Sequence, residues 1–334
     1  MLHWFQDGRF PLYLAPMAGV TDRVFRGLCK ELGADVMVTE FVSSEGILRR
    51  DDRTRKYTEF DNAQRPIGVQ LFGADGENMA DAANKIIDWK QPDFIDLNFG
   101  CPVKKVVSKN GGSSLLRDCP LLAKTASAVA HGVKQRVPVT AKIRIGWDTS
   151  SINAPTVCRI LEDCGIQAIA VHGRTRAQGY SGEADWEVIN ECAQSVSIPI
   201  VGNGDIANGR DVELRKSTTT ISGCMIGRAA MQNPWVFQQA KHYLETGTQS
   251  ESVSINDRLD FIRRHCRLAI EWGRYGDEKH TLMSMRSRLM AYSKTLPRGK
   301  YLRTQFSTLS SLAQLDSLFE DYANLACKYP CVAA

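Results

Sequence analysis

No C-x-x-C pair occurs among the 334 residues, although there are ten cysteines. Zinc sites built on paired ligand spacing are therefore not expected, and no metal is assigned. A chain of this length buries enough core to need no disulfide framework. The cysteines are read as free thiols in a reducing, cytoplasmic setting. No apolar run is long enough to span a bilayer, so no membrane association is expected. The first residues, Met1-Leu2-His3-Trp4-Phe5-Gln6-Asp7, lack a basic region followed by an apolar stretch, which argues against a signal peptide. There is also no G-x-G-x-x-G turn, the usual mark of a dinucleotide-binding open sheet.

With 43% hydrophobic and 24% charged residues, the composition is that of an ordinary globular protein with room for one large domain and a smaller one. The net charge of +5 is unevenly spread. Residues 256–303 hold twelve Lys and Arg against five Asp and Glu, residues 304–334 carry a net −2, and the first 255 residues balance. Such a concentration suits a polyanionic partner. On composition alone it reads equally well as a solvated helix face.

Eight short apolar runs punctuate the chain: 12–15, 35–39, 67–71, 94–98, 139–143, 168–172, 198–201 and 223–226. The stretches between them are mostly helical in period, for example 121–133 and 156–164. Strands alternating with helices, and apolar nearly throughout, imply a parallel sheet covered on both faces. Eight units in roughly 240 residues is the size of a closed (β/α)8 TIM barrel. A doubly wound open sheet is the runner-up. The stretch 215–220 before the last run lacks a glycine, which leaves that helix end undefined.

In such a barrel the C-terminal strand ends share one mouth. Here they carry Pro16-Met17-Ala18, Glu40, Gln70, Asn98 with Cys101, Lys142 with Arg144, His172 with Arg174, Asn203-Gly204-Asp205, and Gly227-Arg228. A thiol just after a strand, between Gly100 and Pro102, is placed for chemistry, although a lone Cys is more often a small core residue. Glycine loops after the last two runs suit a phosphate, with Arg228 adding a charge-assisted contact. A phosphorylated cofactor held there would lie toward Lys142, Gln70 and Met17. FMN fits better than FAD, because no adenine fingerprint is visible. A Schiff-base aldolase using Lys142 remains open on these grounds.

The segments Leu14-Ala15-Pro16-Met17-Ala18-Gly19-Val20-Thr21-Asp22, Asn98-Phe99-Gly100-Cys101-Pro102, Lys142-Ile143-Arg144 and Val171-His172-Gly173-Arg174-Thr175-Arg176 resemble motifs of the tRNA-dihydrouridine synthases. So do Gly202-Asn203-Gly204-Asp205-Ile206 and Met225-Ile226-Gly227-Arg228, and the nearest likeness is to the bacterial B-type subfamily. The resemblance is strong over about residues 10–245 and weaker over about 256–320. It implies an FMN-binding barrel at 1–245 and a helical tRNA-binding domain at 246–334. It also implies reduction of the C5=C6 bond of specific uridines in tRNA, with NADPH as reductant. By the same resemblance Pro16, Met17, Ala18, Gln70, Lys142, His172, Asn203, Gly204, Asp205, Gly227 and Arg228 hold FMN. Hydride goes to uracil C6, and Cys101, protonated near neutral pH, gives the proton to C5. Asn98, Arg144 and Arg174 are expected to meet the substrate. Arg258, Arg263, Arg264, Arg267, Arg274, Lys279, Arg286, Arg288, Lys294, Arg298, Lys300 and Arg303 are expected on helices beside the mouth, packed through Leu259, Ile262, Leu268, Leu282, Leu289 and Tyr292. An FMN oxidoreductase of a free pyrimidine and a non-catalytic RNA-binding barrel are the alternatives.

Overall fold

Every one of the eight apolar runs forms a strand. In chain order they are β1 (Leu12–Leu14), β2 (Met37–Val38), an additional two-residue β3 (Val42–Ser43), β4 (Ile67–Phe72), β5 (Phe94–Phe99), β6 (Val139–Arg144), β7 (Ile169–His172), β8 (Ile200–Asn203) and β9 (Gly223–Ile226). The computed structural model describes residues 2–328 except 50, 51, 109 and 274, and of these the side chains other than 53, 105 and 324–328. Arg274 of the basic region, Cys331 and the side chain of Cys327 thus lie outside the described residues.

All strand pairs are parallel, in the order β1-β9-β8-β7-β6-β5-β4-β2, with β3 on β4. The ring closes where Leu14 N–H donates to the Val36 carbonyl at 3.1 Å, beside the bridge between Tyr13 and Val36. This is the expected (β/α)8 barrel. Side chains alternate between two apolar layers, as strand geometry requires. Ile67, Val69, Leu71, Ile95, Leu97, Phe99, Ala141 and Ile143 face the surrounding helices in one large cluster. Tyr13, Val36, Val38, Phe94, Ala168, Ala170, Val201 and Met225 fill the lumen in a second cluster. The ring of Phe94 occupies the space beside Gly68, where an added Cβ would come within 2.1 Å of it.

The lumen has a floor that the sequence reading did not anticipate. A 3-10 turn, His3–Phe5, folds under the barrel and places Trp4 against Phe94, ring centroids 5.3 Å apart. Trp4 Nε1 donates to the Tyr13 hydroxyl at 2.6 Å. Going up β5, the inward positions change from Phe94 to Asp96 to Asn98. The inward line on β6, Thr140, Lys142 and Arg144, is polar throughout, and the change from apolar floor to polar mouth recurs from Ala168, just before β7, through Ala170 to His172. One period-2 alternation therefore supplies both the lumen core and the site.

The undefined helix end before β9 has a structural answer. The helix Gly209–Thr218 stops at extended Thr219. In place of a glycine cap, the Thr218 and Thr219 hydroxyls donate to the carbonyls of Leu214 and Arg215 at 2.6 Å each.

Left-handed Gly247 ends the helix Val236–Thr246, two residues past the expected domain boundary. The helices Ile255–Trp272, Glu278–Tyr292, Gly299–Phe306 and Leu312–Lys328 follow. Leu259, Ile262, Leu282, Leu289 and Tyr292 are buried among them and Leu268 is half-buried. These residues belong to the same apolar cluster as the outer barrel layer, so the helices pack directly onto the barrel. Among the described residues no helix is long and apolar enough to cross a membrane.

Candidate active site

At the mouth, β4, β5 and β6 contribute a buried chain of hydrogen bonds. Thr140 Oγ1 donates to Asp96 Oδ1 at 2.5 Å, and Gln70 Nε2 donates to Asp96 Oδ2 at 2.6 Å. Asn98 Nδ2 then donates to Gln70 Oε1 at 2.7 Å. Asn98 Oδ1 accepts from Gly100 N–H at 3.1 Å and Cys101 N–H at 2.9 Å. The Cys101 carbonyl accepts from Ser113 N–H at 3.1 Å and Ser113 Oγ at 2.9 Å. The backbone of Cys101 is thereby fixed on both sides, and the residue is 6% exposed. Burial pushes its thiol pKa up, and the Val103 N–H and the Arg144 charge only partly oppose this. The group is a thiol at neutral pH, not a thiolate.

Beside it, β6 and β7 place Lys142 and His172 inward. Half-buried Lys142 pairs in register with Asn98. Burial and the Arg144 charge depress its amine to about 7, against the opposing pull of Asp96. His172 is held far below the ordinary histidine range by burial, then by Lys142, Arg144, Arg174 and Arg228, and is neutral. Asn203 Nδ2 donates to the Met225 carbonyl at 2.7 Å. Gly204, at φ +136, abuts the Ala184 methyl, which an added Cβ would meet at 2.5 Å. Asp205 accepts from Arg174 Nη2 at 2.8 Å, from Arg228 Nη2 at 2.8 Å and from Ala184 N–H at 2.7 Å. Although burial raises it, those contacts hold its carboxyl below the usual range. Arg174 Nη1 is buried with no hydrogen-bond partner.

Half-buried Pro16 and Met17 and exposed Ala18 lie on the loop after β1. Met17 N–H donates to Thr21 Oγ1 at 2.9 Å, and Gly19 N–H donates to the Glu40 carboxylate. An added Cβ at Gly227 would sit 3.6 Å from Met17 Sδ, so the β1 and β9 ends meet there.

Comparison with known proteins fits this geometry. The family model described as dihydrouridine synthase (Dus) matches residues 13–326. The chain belongs to the dihydrouridine synthase family. It is 41% identical over 313 residues to the tRNA-dihydrouridine synthase B of Pseudomonas aeruginosa, covering 93% of this chain and 92% of that protein. It is 38% identical over 316 residues to a probable tRNA-dihydrouridine synthase of Rickettsia bellii, covering 94% and 95%. Among solved structures, histamine dehydrogenase from Rhizobium sp. 4-9 superposes with a TM-score of 0.51 at 14% identity, over 71% of this chain and 45% of that one. That likeness is one of fold.

Every mouth residue expected of this family member lies in the C-terminal half of a strand, in the loop directly after one or, for Arg228, at the start of the helix that follows. Their neighbours refine the expected roles. Arg144 sends Nε to the Gly100 carbonyl at 3.1 Å and Nη1 to the carbonyls of Thr175 and Gly179 at 2.8 Å each. Arg174 Nε reaches the Ser181 carbonyl at 3.2 Å and Nη2 the Gly182 carbonyl at 2.5 Å. Both arginines, expected at the substrate, thus clamp the loop around Tyr180. That tyrosine, missed in the sequence, is 61% exposed, with the Arg144 and Arg228 guanidinium carbons 5.7 and 5.2 Å from its ring centre and His172 at 6.3 Å. Thr140 was also missed, and Asp96, which opens the stretch running to Cys101, had no role of its own in the sequence reading. An Asp in an otherwise apolar strand, two positions before Asn98, was the available signal. Among the described residues no cluster of three His, Cys, Asp or Glu forms a metal site.

The basic region also looks different in three dimensions. Arg263 is paired with Asp260 and Asp316 at 2.9 Å each, Arg264 with Glu31 at 2.5 Å, and Arg267 approaches Asp316 at 4.0 Å. Arg286 donates to the Leu309 carbonyl, and Arg258 lies over the Trp235 ring. Three arginines of the apparent cationic stripe, Arg263, Arg264 and Arg267, thus have carboxylate partners within the chain.

Proposed function

We propose that this chain reduces uridines of tRNA to dihydrouridine, using bound FMN with NADPH as electron source, and that residues 246–334 contribute to holding the tRNA. The observation that carries the reading is the uncompensated positive charge at the mouth. Lys142, Arg144, Arg174 and Arg228 crowd a neutral histidine, and one carboxylate, Asp205, bridges two of the arginines. A bound anion would relieve that crowding. The buried, partnerless Arg174 Nη1 and the close glycine loops at 204 and 227 fit a phosphate in the same place.

On this reading Pro16, Met17, Ala18, Gln70, Lys142, His172, Asn203, Gly204, Asp205, Gly227 and Arg228 hold FMN. Reduced FMN, when bound, supplies the hydride for uracil C6. Cys101 holds its proton on Sγ until C5 becomes basic, then delivers it there. Its raised pKa keeps that proton in place through neutral pH. Asn98 fixes the Cys101 backbone and keeps its second Nδ2 hydrogen for the pyrimidine edge. Arg144 and Arg174 present the Tyr180 loop, and the ring of Tyr180 is a stacking surface for a base turned out of the RNA.

The reading is tested by incubating the purified protein with NADPH and an unmodified tRNA transcript and mapping dihydrouridine. Yellow protein and new dihydrouridine are expected. A colourless preparation, or free pyrimidine reduced as efficiently as tRNA, overturns it. Lys294 and Lys300 are exposed and make no ion pair among the described residues. The double variant Lys294→Ala/Lys300→Ala should weaken tRNA binding and lower the slope of log affinity against log salt by about 2. Arg263, Arg264 and Arg267, already paired, should contribute less to that slope. An unchanged slope in the double variant returns this face to plain solvation.

A further inference from the structure

Arg288 counts toward the positive charge of residues 256–303, yet it is only 6% exposed. From the helix Glu278–Tyr292 it crosses to the loop after β1. There Nε donates to the Gly19 carbonyl at 3.2 Å and Nη1 to Asp22 Oδ2 at 2.6 Å. The same loop carries Pro16, Met17 and Ala18. Two further restraints come from the barrel: Glu40 takes the Gly19 N–H, and Arg26 Nη1 donates to the Thr21 carbonyl at 2.6 Å. Asp22 also caps the helix Arg23–Glu31, its Oδ1 accepting from Phe25 N–H at 2.9 Å. Although burial raises the Asp22 carboxyl, Arg288, His265 and that N–H hold it down to about 2, so the pair stays ionised. A cavity of about 180 Å³ between barrel and helices opens onto the pair, with Arg23, Lys56 and Trp272 in its wall.

We propose that Arg288 is a positioning residue for uridine reduction. It adds a restraint on Gly19 and Asp22 from the helical region, so the backbone beside the cofactor is fully restrained only when the helix Glu278–Tyr292 is docked. The inference rests on the reading that this loop borders FMN. A forked guanidinium suits the task, because it reaches a carbonyl and a carboxylate three residues apart at once. A lysine at this position keeps the charge but has a single compact head group. An RNA-phosphate contact would instead tolerate lysine, since only the charge would matter.

The test compares Arg288→Lys and Arg288→Gln with the wild-type holoenzyme. It measures FMN dissociation by flavin fluorescence, KM for tRNA and kcat separately, and thermal unfolding. FMN affinity should fall about tenfold in Arg288→Gln and severalfold in Arg288→Lys, with kcat falling in parallel and KM for tRNA moving less than about twofold. Raised KM with unchanged FMN affinity and kcat, rescued by lysine, makes Arg288 a phosphate contact and overturns the proposal. Lowered thermal stability with unchanged FMN affinity makes it a packing strut and overturns it too. A wild-type protein that binds no FMN sinks the cofactor reading and this inference together. FMN-binding wild type with indifferent variants sinks only this one. Arg288→Lys, which keeps the ion pair with Asp22, keeps the test decisive if Arg288→Gln does not fold.

Discussion

Cys101→Ala should retain bound flavin and lower tRNA turnover about 10²- to 10⁴-fold, the usual range for removing a positioned general acid. The separation of effects follows from how the residue is held. Its N–H bonds to Asn98 Oδ1 and its carbonyl to Ser113, and both bonds belong to the backbone and survive the substitution. Losing Sγ from a 6% exposed site removes one buried sulfur, which costs stability modestly. On the proposed reading the proton donor for C5 disappears, while the residues assigned to the cofactor are untouched. Reduction of the flavin by NADPH should therefore proceed normally, and single-turnover transfer to tRNA from pre-reduced enzyme should carry the whole defect. In the wild type, transfer should decline as pH rises through the thiol's raised pKa, and this decline should vanish in the variant. Equal single-turnover rates in the two proteins would remove Cys101 from the mechanism.

The barrel was readable because its strands are buried on both faces, so each appears as a compact apolar run between helical stretches. The mouth was readable for a related reason. Gln70, Asn98, Lys142 and His172 put polarity into the C-terminal half of otherwise apolar runs, the end of each strand that opens on the barrel mouth. What stayed hidden was pairing across long separations. Arg144 and Arg174 advertise cation, but their backbone acceptors in the Tyr180 loop are a matter of loop conformation. The basic region shows its charge in sequence, while its partners Glu31 and Asp22 lie more than 200 residues away. The floor turn was invisible because Trp4 has no periodic context; only the closed barrel creates the hole that it fills.

Lys142 joins stability to function, and Lys142→Met should move the two in opposite directions. Its amine falls from 10.5 to about 7 in the folded chain, chiefly through burial and then through Arg144, with Asp96 an insufficient counter-charge. For a base with a depressed folded pKa, the unfolded chain holds the proton more tightly. The flavin-free protein therefore has its full stability from this group above about pH 10.5 and loses it progressively as pH falls toward 7. At pH 7 methionine should stabilise the flavin-free protein by about 1–3 kcal/mol, less than the full shift implies because the amine is only half-buried. The wild-type-minus-variant difference should shrink between pH 7 and 10, which urea unfolding at several pH values reads directly. FMN affinity should fall about 100-fold in the same variant, since the cation that the anion would neutralise is gone. Wild-type affinity should itself weaken as pH climbs above about 7, where the flavin-free amine loses its proton, and the variant should show no such trend. If the variant is no more stable without flavin, the amine is already solvated in the empty mouth. If it binds FMN as tightly as the wild type at every pH, the excess charge at the mouth serves something other than the cofactor.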